Sequence, residues 1–191
     1  MLEPITIVSG LPRSGTSLMM QMLVAGGMAP LTDNLRQPDT DNPRGYFEFE
    51  PVKATHRDSS WVAQAPGKVV KVIHTLLTGL PSGFEYHVVF MRRPMEEVLR
   101  SQAAMLARSG KTGANLDPAV LGALFEKQLE QVEAWLAARS NFRLMNVPFH
   151  DCLFDPHVVA ANVNRFLGGT LNESAMAAAT DANLYRQRQS R

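Results

Sequence analysis

The β-branched run Ile5-Thr6-Ile7-Val8 flows through Ser9-Gly10-Leu11-Pro12-Arg13-Ser14-Gly15-Thr16-Ser17 into the apolar segment Leu18-Met19-Met20. Strand, glycine-rich turn and helix follow in the order that an anion-cradling loop requires. Free amides at a helix start and the positive end of its dipole both favour a phosphate there. Two glycines, one arginine and three hydroxyls gathered at that start exceed what a turn alone needs.

The turn reads Gly10-x4-Gly15-Thr16-Ser17. This is the frame of a nucleoside-triphosphate loop, with Thr16 where the lysine would stand. That lysine normally reaches the β- and γ-phosphates. Arg13 carries the positive charge instead, three positions earlier. Such a loop can hold a 5′-phosphate through backbone N–H groups and the helix start. It is poorly suited to moving a γ-phosphoryl group.

Further along, strand and helix patterns alternate. A mostly buried helix is expected over residues 17–25, stopped by Gly26-Gly27. Residues 28–50 form a polar, turn-rich passage through Thr32-Asp33-Asn34 and Asp41-Asn42-Pro43-Arg44-Gly45, long enough to suggest function or mobility. A modest helix is expected over 51–63, then strands over 68–74 and 86–91. Pro94 opens a helix to about Ala107, with Glu96 and Glu97 in its first turn. Asp117-Pro118 caps the strongest helix, with Leu121, Phe125, Leu129, Val132 and Leu136 as its apolar stripe. A strand over 142–147 and a helix over 157–167, ending at Gly168-Gly169, complete the pattern. Alternation of this kind predicts a P-loop-type three-layer α/β/α fold with a mainly parallel central sheet. The loop after the first strand should lie at the sheet's carboxyl edge, where such sheets bind ligands.

A second anion site is written into Val88-Val-Phe-Met-Arg92-Arg93-Pro94-Met-Glu-Glu-Val-Leu-Arg-Ser101. Its arginine pair falls where a strand end meets a helix start, so guanidinium hydrogen bonds and the dipole act together. Any such site must be built locally, because the 191-residue chain has a formal net charge of only +1. No global basic field argues for nucleic acid. The lone Cys152 gives neither a disulfide framework nor a metal cluster. The longest apolar stretch, 18–31, is interrupted by Gln21, Gly26, Gly27 and Pro30. It falls short of the about 20 residues that span a bilayer. Met1 to Pro4 leave no room for a signal peptide, so the expectation is one cytoplasmic domain over residues 1–191, without membrane attachment.

The run Pro12-Arg13-Ser14-Gly15-Thr16-Ser17 resembles the 5′-phosphosulfate loop of the sulfotransferase superfamily, whose signature is Pro-(Arg/Lys)-Ser-Gly-Thr-(Thr/Ser). The resemblance, to a small bacterial-type sulfotransferase, implies sulfuryl transfer from 3′-phosphoadenosine 5′-phosphosulfate (PAPS) to a hydroxyl or amine. The product would be 3′,5′-adenosine bisphosphate (PAP), and no metal is called for. It also implies that Arg13, Ser14, Gly15, Thr16 and Ser17 bind the 5′-phosphate. The family holds the 3′-phosphate through an Arg-x-Pro arginine and a serine eight residues after that arginine. Arg92 has the spacing to Pro94 and Arg93 the spacing to Ser101, while Arg100 stands where the proline count puts the serine. Arg92, Arg93 and Ser101 are therefore carried jointly, with the register open. A third segment, from Pro148 to Asp155-Pro156 and on to Phe166-Leu167-Gly168, resembles the late strand–loop–helix of the same family. It supports the fold and identifies no chemistry.

Sulfuryl transfer needs a base for the acceptor's proton and groups that meet charge on the leaving phosphate. Glu48 is the first candidate base, because it ends the long loop between Phe47 and Phe49, where burial would raise its pKa. Glu50 lies two residues on. His74 is the rival, since Lys71-Val-Ile-His74 is similar to the Lys-Thr-His of cytosolic sulfotransferases but one residue longer. On a strand, Lys71 and His74 would face opposite sides. Lys71 could itself point into the site, while His56 and His150 read as surface or junction histidines. The basic tail 185–191 could fold over a phosphate or lie free. A small molecule or carbohydrate is the expected acceptor. The competing readings are a P-loop kinase of a nucleotide or small molecule, and a catalytically idle nucleotide-binding relative.

Overall fold

The computed structural model of the chain describes residues 3–33, 35–37, 45–109 and 116–180. The turn 41–44 and the basic tail 185–191 lie outside the described residues. Four parallel strands form one sheet in the order β2-β1-β3-β4. They are β1 (Ile5–Gly10), β2 (Val69–Lys71), β3 (Tyr86–Arg92) and β4 (Phe142–Pro148). The helices are α1 (Thr16–Ala25), α2 (Met95–Ser109), α3 (Pro118–Ala137), α4 (Phe149–Phe154), α5 (Pro156–Leu167) and α6 (Glu173–Ala178). None among the described residues is long and apolar enough to cross a membrane.

Two-residue periodicity splits each central strand between two cores. Ile5, Ile7, Tyr86, Val88 and Phe90 pack on one face with Trp61, Leu77 and the α3 stripe residues Val132 and Leu136. Val8, Val89 and Met91 pack on the other with Met19, Met22 and Leu23 of α1, Val159 and Val163 of α5 and Met176 of α6. The sheet is covered on both sides, as an all-parallel sheet must be. That is the three-layer α/β/α arrangement expected from the alternation.

Three local expectations need correction. The helix expected over 51–63 is two short 3₁₀ turns, Glu50–Ala54 and Ser60–Gln64. Between them Asp58 Oδ1 accepts from the Ser60 amide at 2.9 Å, a local bond that competes with helix propagation. The strand expected over 68–74 pairs only through Lys71, and the chain then turns into a 3₁₀ segment, His74–Gly79. The stretch after Pro148 is helix α4 rather than a loop.

Candidate active site

β1 ends at Gly10, whose φ of +144° suits glycine, and a Cβ there would lie 2.5 Å from Ser14 Oγ and 2.7 Å from the Met91 carbonyl. The chain closes into α1 at Gly15, the N-cap, with φ +101°. A Cβ on Gly15 would meet the Phe149 ring at 2.4 Å. Glycine is thus required at both ends of the loop, by conformation and by space. No side chain caps α1, and its first turn holds no acidic residue. Its first amides and positive dipole end are left for an external anion. The buried Ser14 hydroxyl has no hydrogen-bond partner among the described residues. An orphaned hydroxyl beneath an uncapped helix start fits a site made for a phosphate.

Cations flank this loop. From the end of β2, Lys71 Nζ reaches Ser17 Oγ at 3.3 Å and also donates to the Tyr46 carbonyl. Its side chain is 10 % exposed. Burial pushes its pKa down to about 8, against the pull of Glu48. Glu48 Oε1 lies 3.9 Å from Lys71 Nζ and 2.8 Å from Arg36 Nη1, with Glu48 25 % and Arg36 44 % exposed. The Arg36 guanidinium also stacks 3.4 Å over the Tyr46 ring. The Glu48 strip is fastened to the core side: Thr32 Oγ1 donates to the Glu48 carbonyl at 2.8 Å, and Asp33 Oδ2 accepts from the Glu50 amide at 2.6 Å. Glu48 therefore faces two cations at the mouth of the loop, not the apolar pocket its phenylalanine neighbours suggest. Glu50 points outward to Lys53, at 2.7 Å.

The second arginine junction lies beside the first loop, because Gly10 and Met91 are register partners on adjacent strands. The two arginines diverge from there. Arg92 turns toward α3 and β4, donating to Glu133 and, at 2.8 Å, to Asn146 Oδ1. Arg93 turns to the loop, its Nη1 donating to the Arg13 carbonyl at 3.0 Å. Arg13 Nε in turn reaches Ser101 Oγ at 3.0 Å. Arg13, Arg93 and Ser101 are thus brought together, and Arg92 stands on the other side of the junction.

His74 is separated from all of these contacts. It is 2 % exposed, and its Nε2 lies 2.9 Å from Gln128 Oε1 on α3. Lys71 reaches Ser17 and Tyr46 while His74, past the end of β2 in the 3₁₀ segment, reaches α3, so the two diverge because the strand has ended between them. Arg36, Tyr46, Glu97 and His150 belong to the neighbourhood of the site although no sequence motif marks them. Only an acidic first turn on α2 signalled Glu97, and that signal has an ordinary dipole explanation. Among the described residues, no group of three or more His, Cys, Asp or Glu is placed to hold a metal ion.

No protein-family model and no curated protein matches the sequence. Solved structures do match in shape. The sulfotransferase domain of the Synechococcus PCC 7002 olefin synthase superposes with a TM-score of 0.59 at 17 % identity, over 97 % of this chain and 80 % of that one. Sulfotransferase STF1 from Mycobacterium tuberculosis H37Rv gives 0.61 at 18 %, over 94 % and 71 %. Retinol dehydratase, solved with retinol and PAP, gives 0.51 at 19 %, over 93 % and 64 %. The chain has the sulfotransferase fold.

Proposed function

We propose that this chain is a sulfotransferase that takes its sulfuryl group from PAPS and passes it to a hydroxyl or amine of a small molecule or carbohydrate. One observation supports the reading: two strand ends with the groups to attract an anion lie side by side, one an uncapped helix start with Lys71 at its edge, the other an arginine junction tied to it through Arg13. A ligand with two separated phosphates suits that pair better than a single phosphate chain. A solved structure with this fold was crystallised with PAP, which is such a ligand.

In this reading the amides at the start of α1, with Ser14, Thr16 and Ser17, hold the 5′-phosphate. Arg93 and Ser101 receive the 3′-phosphate, while Arg92, held by Glu133 and Asn146 on the other side of the junction, is left out of it. The bound donor supplies the sulfuryl group, which forms a bond to the acceptor's oxygen or nitrogen as its bond to the 5′-phosphate oxygen breaks. Arg13 and Lys71 meet the charge that grows on that phosphate. Glu48 takes the acceptor's proton, its position 3.9 Å from Lys71 favouring it over His74. Its ion pair with Arg36 is part exposed and worth about 0–1 kcal/mol, so an acceptor can displace it at little cost.

The test is PAP release from PAPS with a mixed panel of hydroxyl and amine acceptors. Glu48→Gln is expected to keep PAP binding and lose roughly 10²–10⁴-fold in turnover, the range for a general base. Near-normal turnover in that variant would remove Glu48 from the chemistry. A loss confined to His74→Ala would move the base to the 3₁₀ segment that follows β2.

A further inference from the structure

Glu97 is fully buried, yet the chemistry above does not use it. It sits in the first turn of α2 and accepts from Arg93 Nε at 2.9 Å. His150 Nε2, from α4, lies 3.0 Å from its Oε1 and 3.1 Å from its Oε2. A carboxylate with no access to water is stable only while such partners remain.

The partners lead to the phosphate loop. With Nε held by Glu97, the Arg93 guanidinium presents Nη1 to the Arg13 carbonyl at 3.0 Å, while its Cζ lies over the Phe149 ring, 4.4 Å from the centroid. Arg13 is a non-glycine residue with φ +71°, a backbone state that needs outside support. Its side chain is held by Ser101, one helical turn beyond Glu97 on α2. α2 therefore grips Arg13 at both ends, the backbone through Glu97 and Arg93, the side chain through Ser101.

We infer that Glu97 is a positioning residue for the anion site: it aims Arg93 at the Arg13 carbonyl and so presets the loop before any ligand arrives. The inference rests on the proposed function, which makes this an anion site and supplies PAP as the probe. Groups that orient metal ligands from behind lower affinity by about 10–100-fold when removed, and a similar loss is expected for a guanidinium held this way.

Calorimetric titration with PAP tests it. Glu97→Gln keeps size and loses charge, and is expected to raise the dissociation constant roughly 10–100-fold. Glu97→Asp keeps the charge opposite Arg93 and should recover much of that affinity although it leaves a small void. Val132→Ala, a core truncation in the opposite layer, should lower stability and leave PAP affinity within about twofold. If Glu97→Gln does not fold, Glu97→Asp, whose carboxylate is drawn back from Arg93 Nε by one methylene, is expected to bind PAP several-fold more weakly than Val132→Ala, and equal affinities overturn the inference. Unchanged PAP affinity in a folded Glu97→Gln protein overturns the inference alone, as does equal loss in all three single variants. Absence of PAP binding by the unaltered protein overturns the sulfotransferase reading, and the inference with it.

Discussion

Lys71 shows how one residue's surroundings translate into a pH dependence. Burial lowers its pKa from 10.5 to about 8 in the folded chain. Between those values the unfolded chain keeps a proton that the folded chain has released, so stability should rise with pH across that window. A phosphate at Ser17 favours the ammonium and reverses this. PAP binding above pH 8 should therefore take up a proton, and affinity should fall by at most about tenfold per pH unit. Titrations in buffers of different ionisation heat measure that uptake, and Lys71→Met should abolish it. A pH-independent affinity without proton uptake would mean that Lys71 does not face the phosphate. At this scale the sequence was only partly legible. The places of Arg13 in the loop, Ser17 at a helix start and Lys71 at a strand end are legible from local pattern. The Glu97–His150 contact joins residues 53 apart and leaves no local pattern in either segment.

At the scale of elements, the phosphate loop depends on what packs behind it. Phe149 opens α4 against Gly15, and a methyl group there would overlap the ring at 2.4 Å. Gly15→Ala would also hold alanine at φ +101°. It should cost more than about 1 kcal/mol of stability and weaken PAP binding. Urea unfolding and a PAP titration of the same variant check both effects. A variant as stable as the parent, with unchanged affinity, would mean the loop tolerates a side chain it has no visible room for. Elements with a long repeating pattern were readable in advance, such as α3 with its Phe125, Val132 and Leu136 stripe. The weak ones were not. Residues 51–63 lost their helix to an Asp58 turn, and β2 stops at Lys71 because its pairing with β1 ends at Val8. α4 is not legible, because six residues carry too little periodicity to separate helix from turn.

For the whole molecule, the parallel three-layer fold was legible from alternating strands and helices, since apolar strands joined by helices have few other ways to bury both faces. Strand order was not legible, because it is decided by packing between distant segments. That order is what makes the site: β3 beside β1 sets the arginine junction against the phosphate loop. That two phosphates are held at these neighbouring strand ends is therefore the central claim of the proposed function. Comparative binding of PAP, AMP and magnesium–ATP to the unaltered protein measures it. PAP should bind tightest and, at about 100 times its dissociation constant, add roughly 2.7 kcal/mol to folding stability. AMP, with one phosphate, should add far less at the same concentration. Magnesium–ATP stabilising the protein as well as or better than PAP would contradict the two-site reading and point to a kinase.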